Sequence, residues 1–315
     1  MATPPALSPV PRHASEYDPD DLAARKADQG LRISVCLPAR NEEATVGHIV
    51  ATVRRTLMEA VPLVDEVVVI DDRSTDATAE AAAWEGARVL GVDDVLPGTT
   101  PGAGKGNAMW KSLHAAGGDL VCWLDADVRN FASHFVTGLL GPLVLDPGIA
   151  FVKGYYRRPL HGEPTGGGRV TELVARPLLS VLFPELAGFI QPLGGEYAGR
   201  RDVLETVPFV EGWGVEIGLL VDVVARVGLG ATAQVDLGVR EHRNRPLDEL
   251  GAQATSILVT ALRRAGLVDI DHTTLTQFTE AFDARLVGVD AAERPPIVTV
   301  PAYCEKFGLE LRAAG

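Results

Sequence analysis

The order of apolar and polar positions divides this chain of 315 residues into a regular first half and a less regular second half. Short apolar runs recur at 33–37, 66–71, 87–90 and 120–125. Each is continuously apolar rather than alternating, as strands are when both faces of a sheet are covered. Segments 43–58, 75–85 and 106–116 between them read as helices. In the first of these, Val46, Ile49, Val50, Val53 and Leu57 recur at helical spacing. Strand alternating with helix predicts an α/β fold, Rossmann-like, with a mainly parallel sheet flanked by helices.

Further on, 149–156 and 231–237 read as strands, and 171–182, 215–227 and 245–265 as helices, with Pro177 a caution inside the first. Residues 160–168 form a Gly/Pro-rich loop, and the tail after Asp269 is mixed. The expected organisation is a flexible lead-in over 1–30 with a short charged helix around 20–27, one α/β domain over 31–270 and a C-terminal extension over 271–315.

Composition narrows the function. A formal net charge of -13 argues against nucleic-acid or anionic-membrane binding, because neither partner is attracted at long range. No run reaches the roughly 20 apolar residues that span a bilayer, and residues 1–30 lack the apolar core of a signal peptide. The three cysteines, Cys36, Cys122 and Cys304, are too few and scattered for a disulfide framework or a zinc cluster. Buried free thiols and a cytoplasmic location follow.

Ligands of parallel α/β sheets collect at the carboxyl ends of the strands, and polar clusters lie there. PARNEE follows the first strand at 38–43, DDRSTD the second at 71–76, and Asp125-Ala126-Asp127 the fourth. Ser74, Thr75, Glu42 and Glu43 could each be a helix cap or suit a helix N-terminus instead. Asp125 and Asp127 can share a hard divalent cation with diphosphate oxygens, which would neutralise a departing nucleoside diphosphate. The loop 102–107 (GAGKGN) fails the Walker A pattern, because Thr99 stands where its first glycine belongs and Gly106 follows Lys105. A glycine loop ahead of a helix still suits an anion, with Lys105 as its partner. A second loop, 166–171 (GGGRVT), offers backbone N–H groups, the Arg169 fork and the Thr171 hydroxyl to a phosphate. Glu196 and Glu216 stand near glycine turns and could bind sugar hydroxyls or move a proton. His242 could be a structural histidine or a metal ligand.

Together these segments resemble the actinobacterial glucosyl- and mannosyl-3-phosphoglycerate synthases, retaining glycosyltransferases of the GT-A fold. The resemblance spans about 33 to 277, and it implies a catalytic domain over 31–270 with a nucleotide-sugar-binding half over 31–130 and an acceptor-binding half over 131–270. Besides the segments above it includes YYRRPL at 155–160, GGGRVTELVARPLL at 166–179, QPLGGEYA at 191–198, VEIGLLVD at 215–222 and LGVREHRNRPL at 237–247. It implies transfer of glucose or mannose from a UDP- or GDP-sugar to the 2-hydroxyl of 3-phosphoglycerate. Pro38, Ala39, Glu42 and Asp72 would hold the nucleoside, Lys105 the diphosphate and Asp125 the ribose. Asp127 and His242 would ligate Mg²⁺, or Mn²⁺ or Co²⁺. Gly168, Arg169, Val170 and Thr171, with Arg240 and Asn244, would bind the acceptor. Glu216 would lie near the reacting sugar and the Leu193 carbonyl near the acceptor hydroxyl. A homodimer is also implied.

Two positions depart from the relatives. Ala126 replaces a serine that is not an expected ligand. Asp72 stands where glucosyl relatives carry serine facing the base. Its carboxylate could accept two hydrogen bonds from guanine, where uracil offers one N–H, or it could pair with Arg73 or cap the next helix. A polyprenyl-phosphate sugar transferase is the alternative reading. A sugar nucleotidyltransferase is disfavoured, because its glycine-rich loop would stand where 38–43 stands.

Overall fold

The computed structural model describes residues 9, 11–160, 163–241 and 247–312. Its centre is an eight-stranded sheet. In chain order the strands are β1 (Pro11–His13), β2 (Ile33–Ala39), β3 (Glu66–Asp71), β4 (Arg88–Gly91), β5 (Leu120–Trp123), β6 (Phe151–Arg157), β7 (Tyr197–Arg200) and β8 (Thr232–Val239). In space the order is β1-β8-β6-β7-β5-β2-β3-β4. All pairs are parallel except the two made by β7, which runs against both β5 and β6.

The continuous apolar runs have the predicted cause. Val35 and Leu37 pack into one layer and Cys36, between them, into the other. Both faces of β2 are therefore covered, and each such buried side chain contributes ~1.5–3 kcal/mol. The helices α1 (Pro19–Gln29), α2 (Val46–Arg54), α3 (Thr78–Trp84), α4 (Gly104–Ala115), α5 (His134–Leu145), α6 (Arg176–Leu182), α7 (Val215–Val227), α8 (Leu247–Arg264) and α9 (Pro301–Phe307) surround the sheet and its extension. Cys36, Cys122 and Cys304 are free and buried, as expected.

Several elements differ from the sequence reading. Residues 11–29 fall in the expected flexible lead-in but are ordered, and the short charged helix expected around 20–27 is α1. β1 extends the main sheet beside β8. Asp18 caps α1 by accepting from Asp20 and Asp21, and Lys26 of α1 pairs with Asp65 at 2.7 Å. The helix α5 and strand β7 went unread. Within 160–168, Pro159–Leu160 pairs with Glu163–Gly166 as a small hairpin rather than a plain loop. The helix at 171–182 opens with a widened π turn, Thr171–Ala175, before α6. Pro177 follows directly on this widened turn, so the helix departs from regular α geometry where the proline lacks an N–H. The mixed tail contains the strands β9 (His272–Phe278) and β10 (Ala284–Asp290), paired antiparallel.

Candidate active site

A cavity of about 410 Å³ opens at the carboxyl ends of the parallel strands. One wall is the end of β2 and the turn after it, giving Pro38, Ala39 and Glu42, with Asp72 after β3. Its floor is Lys105 on α4 with Asp125 and Asp127 after β5. The opposite wall is the second glycine loop, Gly168, Arg169, Val170 and Thr171. Leu193, Glu216 on α7 and Arg240 after β8 close the space between the walls. Each of these residues was singled out from the sequence. His242 and Asn244 lie outside the described residues.

Local backbone chemistry explains the shape. Gly168 has φ +76°, in the left-handed region that glycine enters without strain. Gly195 lies so close to the acid triplet that a Cβ there would meet Asp125 Oδ2 at 2.1 Å. Asp72 fixes the first glycine loop by accepting from the Gly104 N–H at 3.2 Å. Arg294, from the C-terminal extension, donates to Asn107 Oδ1 at 2.8 Å and to the Thr100 carbonyl at 2.6 Å. The extension thus buttresses the loop that carries Lys105.

Charges in the cavity are interlocked. Lys105 Nζ donates to Asp125 and, at 2.7 Å, to Glu216 Oε1. Arg240, 2% exposed, spans three acids: Asp125 and Asp127 from one nitrogen and Glu196 from another, each at 2.7 Å. Tyr156 donates to the far oxygen of Glu196 at 2.5 Å. Burial pushes the Asp125 carboxyl up, but Lys105 and Arg240 overcome it and hold its pKa well below the usual carboxylate range. Burial likewise favours neutral Lys105, and the Asp125 and Glu216 charges reverse this, raising its pKa well above the ordinary lysine value. Lys105 therefore keeps its charge through the neutral range.

The contacts bear on two of the sequence readings. Glu196, offered for sugar binding or proton transfer, is fully buried and locked between Arg240 and Tyr156, so it cannot reach a substrate. Asp72 lines the cavity and is paired there. Arg73 donates to Oδ1 at 3.0 Å and Gly104 to Oδ2 at 3.2 Å, with Arg40 4.0 Å away. These are the contacts of the pairing alternative for Asp72. On that alternative, Asp72→Ser is expected to leave the ratio of GDP to UDP affinity within about twofold, since neither base loses a hydrogen bond. Paired calorimetric titrations with the two nucleotides read this ratio. Arg158, which the sequence places near the second glycine loop, also lines the cavity, as do Gln253 and Ile257, which the sequence reading did not single out. Only their position on α8 could have marked the last two.

The carboxylates of Asp125 and Asp127 are hard oxygen donors facing the cavity, and they fit a divalent cation that takes its other ligands from a diphosphate. Among the described residues no group of three or more His, Cys, Asp or Glu makes a cation cage by itself. His242, the second expected protein ligand, is outside those residues.

A mainly parallel sheet whose strand ends bring paired acids, a loop lysine and a facing glycine loop to one cleft defines a nucleotide-sugar-dependent glycosyltransferase of the GT-A type. Residues 34–163 match the family model described as glycosyl transferase family 2. The glucosyl-3-phosphoglycerate synthase of Mycolicibacterium smegmatis is 49% identical over 287 residues, which is 89% of this chain and 93% of the relative. Crystal structures of the Mycobacterium tuberculosis glucosyl-3-phosphoglycerate synthase are also similar. The complex with Mn²⁺, UDP-glucose and phosphoglyceric acid has a TM-score of 0.82 at 47% identity, covering 89% of this chain and 94% of that one. The complex with Mn²⁺, UDP and glucosyl-3-phosphoglycerate has a TM-score of 0.81 at 47% identity, covering 89% and 95%. The chain belongs to the glucosyl-3-phosphoglycerate synthase family.

Proposed function

We propose that the protein transfers glucose from UDP-glucose to the 2-hydroxyl of 3-phosphoglycerate, with retention at the anomeric carbon and release of UDP. The observation that carries this reading is that one cavity holds both halves of the reaction. The donor residues Pro38, Ala39, Glu42, Lys105, Asp125 and Asp127 face the acceptor loop Gly168–Arg169–Val170–Thr171 across Leu193 and Glu216.

The roles are those the family resemblance implies, and the placing of these residues around one cavity supports them. Pro38, Ala39 and Glu42 hold the nucleoside and Asp125 the ribose. Lys105 places a permanent positive charge beside the departing diphosphate. Asp127, with His242, would hold Mg²⁺, Mn²⁺ or Co²⁺, which supplies further charge neutralisation to the leaving group. The Gly168 N–H, the Arg169 guanidinium and the Thr171 hydroxyl take the acceptor's phosphate. Val170 lines the same wall, and Arg240 and Asn244 would complete the acceptor side. The Leu193 carbonyl accepts from the attacking hydroxyl.

Retention is assigned to attack on the same face from which UDP departs, the hydroxyl proton passing to a diphosphate oxygen. Two observations support this over a covalent glycosyl intermediate. Glu196 is fully buried and paired, and the Glu216 carboxylate is engaged by Lys105. No helix among the described residues is long and apolar enough to cross a membrane, so nothing there favours a polyprenyl-phosphate acceptor. We place the protein in a reducing cytoplasm, as a homodimer. Sedimentation at micromolar concentration reads the oligomeric state.

The test incubates the protein with 3-phosphoglycerate, Mg²⁺ and, separately, UDP-glucose, GDP-glucose, GDP-mannose and UDP-mannose. The expected result is a phosphorylated glucosylglycerate from UDP-glucose, with the donor's anomeric configuration by NMR. Binding of UDP without product from any donor would overturn the acceptor assignment at Arg169 and Thr171.

A further inference from the structure

Lys153 is a charged side chain in a place where packing alone calls for an aliphatic one. It lies on β6, 1% exposed, and its amine is not part of the cavity lining. Nζ donates to the Gly194 carbonyl at 2.6 Å and sits 4.3 Å from the centre of the Tyr197 ring. Among the described residues no carboxylate pairs with it directly. The charged groups facing it are Glu216, Lys105, Glu196 and Asp125. Burial pulls its pKa down to about 7, against the partial support of the carboxylates. An ammonium buried without a paired anion is costly, so its presence here calls for a use.

The carbonyl it holds is in a sensitive position. Gly194 lies between Leu193, which lines the cavity, and Gly195, which packs directly on Asp125. Gly194 N–H closes a turn onto the Gln191 carbonyl at 3.0 Å, and its Cα faces the Gly154 backbone so closely that a Cβ would meet that carbonyl at 2.9 Å. Two adjacent glycines give this backbone wide freedom. Lys153 removes it by fixing the Gly194–Gly195 peptide, and the Leu193–Gly194 peptide is hinged on the same Cα.

We propose that Lys153 is a positioning residue for the acceptor, whose amine holds the Leu193–Gly194–Gly195 backbone so that the Leu193 carbonyl meets the attacking hydroxyl. The proposal rests on the acceptor reading given above. It separates Lys153 from Lys105: one orients the acceptor side from behind the cavity, the other faces the donor diphosphate within it. Protonated Lys153 donates with full charge. Loss of that proton weakens the hold, so transfer declines as pH rises through the titration of the amine. The anionic substrates, once bound, favour the ammonium and move that decline to higher pH than in the free protein.

The test compares wild type, Lys153→Met and Lys153→Gln for UDP affinity, glucosyl transfer to 3-phosphoglycerate and slow hydrolysis of UDP-glucose. For Lys153→Met, kcat for transfer is expected to fall about tenfold or more, because a small displacement of a positioned group is costly. UDP affinity and UDP-glucose hydrolysis stay near wild type. Lys153→Gln recovers part of the transfer, since its amide N–H can donate, but its pH profile lacks the alkaline decline. The thermal midpoint of Lys153→Met is equal to or above that of wild type. The proposal is overturned if transfer is unchanged, if UDP affinity and thermal midpoint fall together with transfer in both variants, or if Lys153→Gln keeps the wild-type pH profile. A wild type that binds UDP and hydrolyses UDP-glucose without using 3-phosphoglycerate would instead overturn the acceptor reading itself.

Discussion

Replacing Arg240 with methionine is expected to lower the unfolding free energy by ~3–5 kcal/mol, the usual cost of removing one partner from a buried ionic cluster. Arg240 is nearly inaccessible and is shared by Glu196, Asp125 and Asp127. Lys105 still serves Asp125 in the variant, and Asp127 is partly exposed to water. Glu196 is the acute loss, because it is fully buried and keeps only the Tyr156 hydroxyl. A buried carboxylate left without its charged partner keeps its full desolvation cost. Urea denaturation at neutral pH measures the loss. Adding Glu196→Gln to the variant should recover part of the loss, because the stranded charge goes with it. A loss below ~1 kcal/mol at neutral pH would show that the cluster's cohesion does not depend on Arg240.

The first half of the fold was legible because β2, β3 and β5 are buried on both faces and therefore written as nearly uninterrupted apolar runs. Cys36 between Val35 and Leu37 is the simplest instance, with neighbouring side chains feeding opposite layers. Helix α5 was illegible for a related reason. Its sequence, HFVTGLLGPLVL, is buried almost all round, so it has no polar face to mark a helical period, and Gly138, Gly141 and Pro142 read as breakers. Gly141 is in fact a packing requirement, since a Cβ there would meet the Tyr17 ring at 2.2 Å. Strand β7 is four residues with a glycine, too short for a pattern, and its antiparallel insertion between β5 and β6 is a tertiary choice. β1 is three residues whose partner, β8, lies more than two hundred residues away.

The candidate site was more legible than the second half of the fold that carries it. Strand-end acids and glycine loops are local signals, and the topology gathers them by a general rule of parallel sheets. Buried charges give no such signal. Glu196 was visible in the sequence only as an acid near glycines, and its confinement by Arg240 depends on two segments forty-four residues apart. Lys153 and Arg294 read as ordinary charged residues in a strand and a tail. Their roles appear only when the Gly194 carbonyl and the Thr100–Asn107 loop come into contact with them. Asp72 shows the limit from the other side. Its residue type permits a base-reading role, and only the geometry reveals that Arg73 and the Gly104 N–H already use its oxygens.

Lys105→Met is expected to reduce kcat for glucosyl transfer by ~10²–10³, equivalent to ~3–4 kcal/mol of lost transition-state stabilisation, as when one preorganised partner of a developing anion is removed. The lysine lies in the first turn of α4, where the helix end adds its own positive potential. In the free protein it is held between Asp125 and Glu216, so a diphosphate arriving in the cavity meets an amine already in place. Because those two carboxylates keep its pKa well above the ordinary value, the wild-type rate should not titrate on Lys105 at neutral pH, and lowering pH should not rescue the methionine variant. The variant should also raise KM for UDP-glucose less than it lowers kcat, since charge accumulates on the diphosphate as the glycosidic bond breaks. Lys105→Arg should restore charge but only part of the rate, because a planar fork cannot reproduce a compact ammonium between two acids. Steady-state kinetics with saturating 3-phosphoglycerate separate the two parameters. If kcat of Lys105→Met stays within about threefold of wild type while KM rises strongly, Lys105 binds the donor in its ground state and the leaving-group charge is met elsewhere in the cavity.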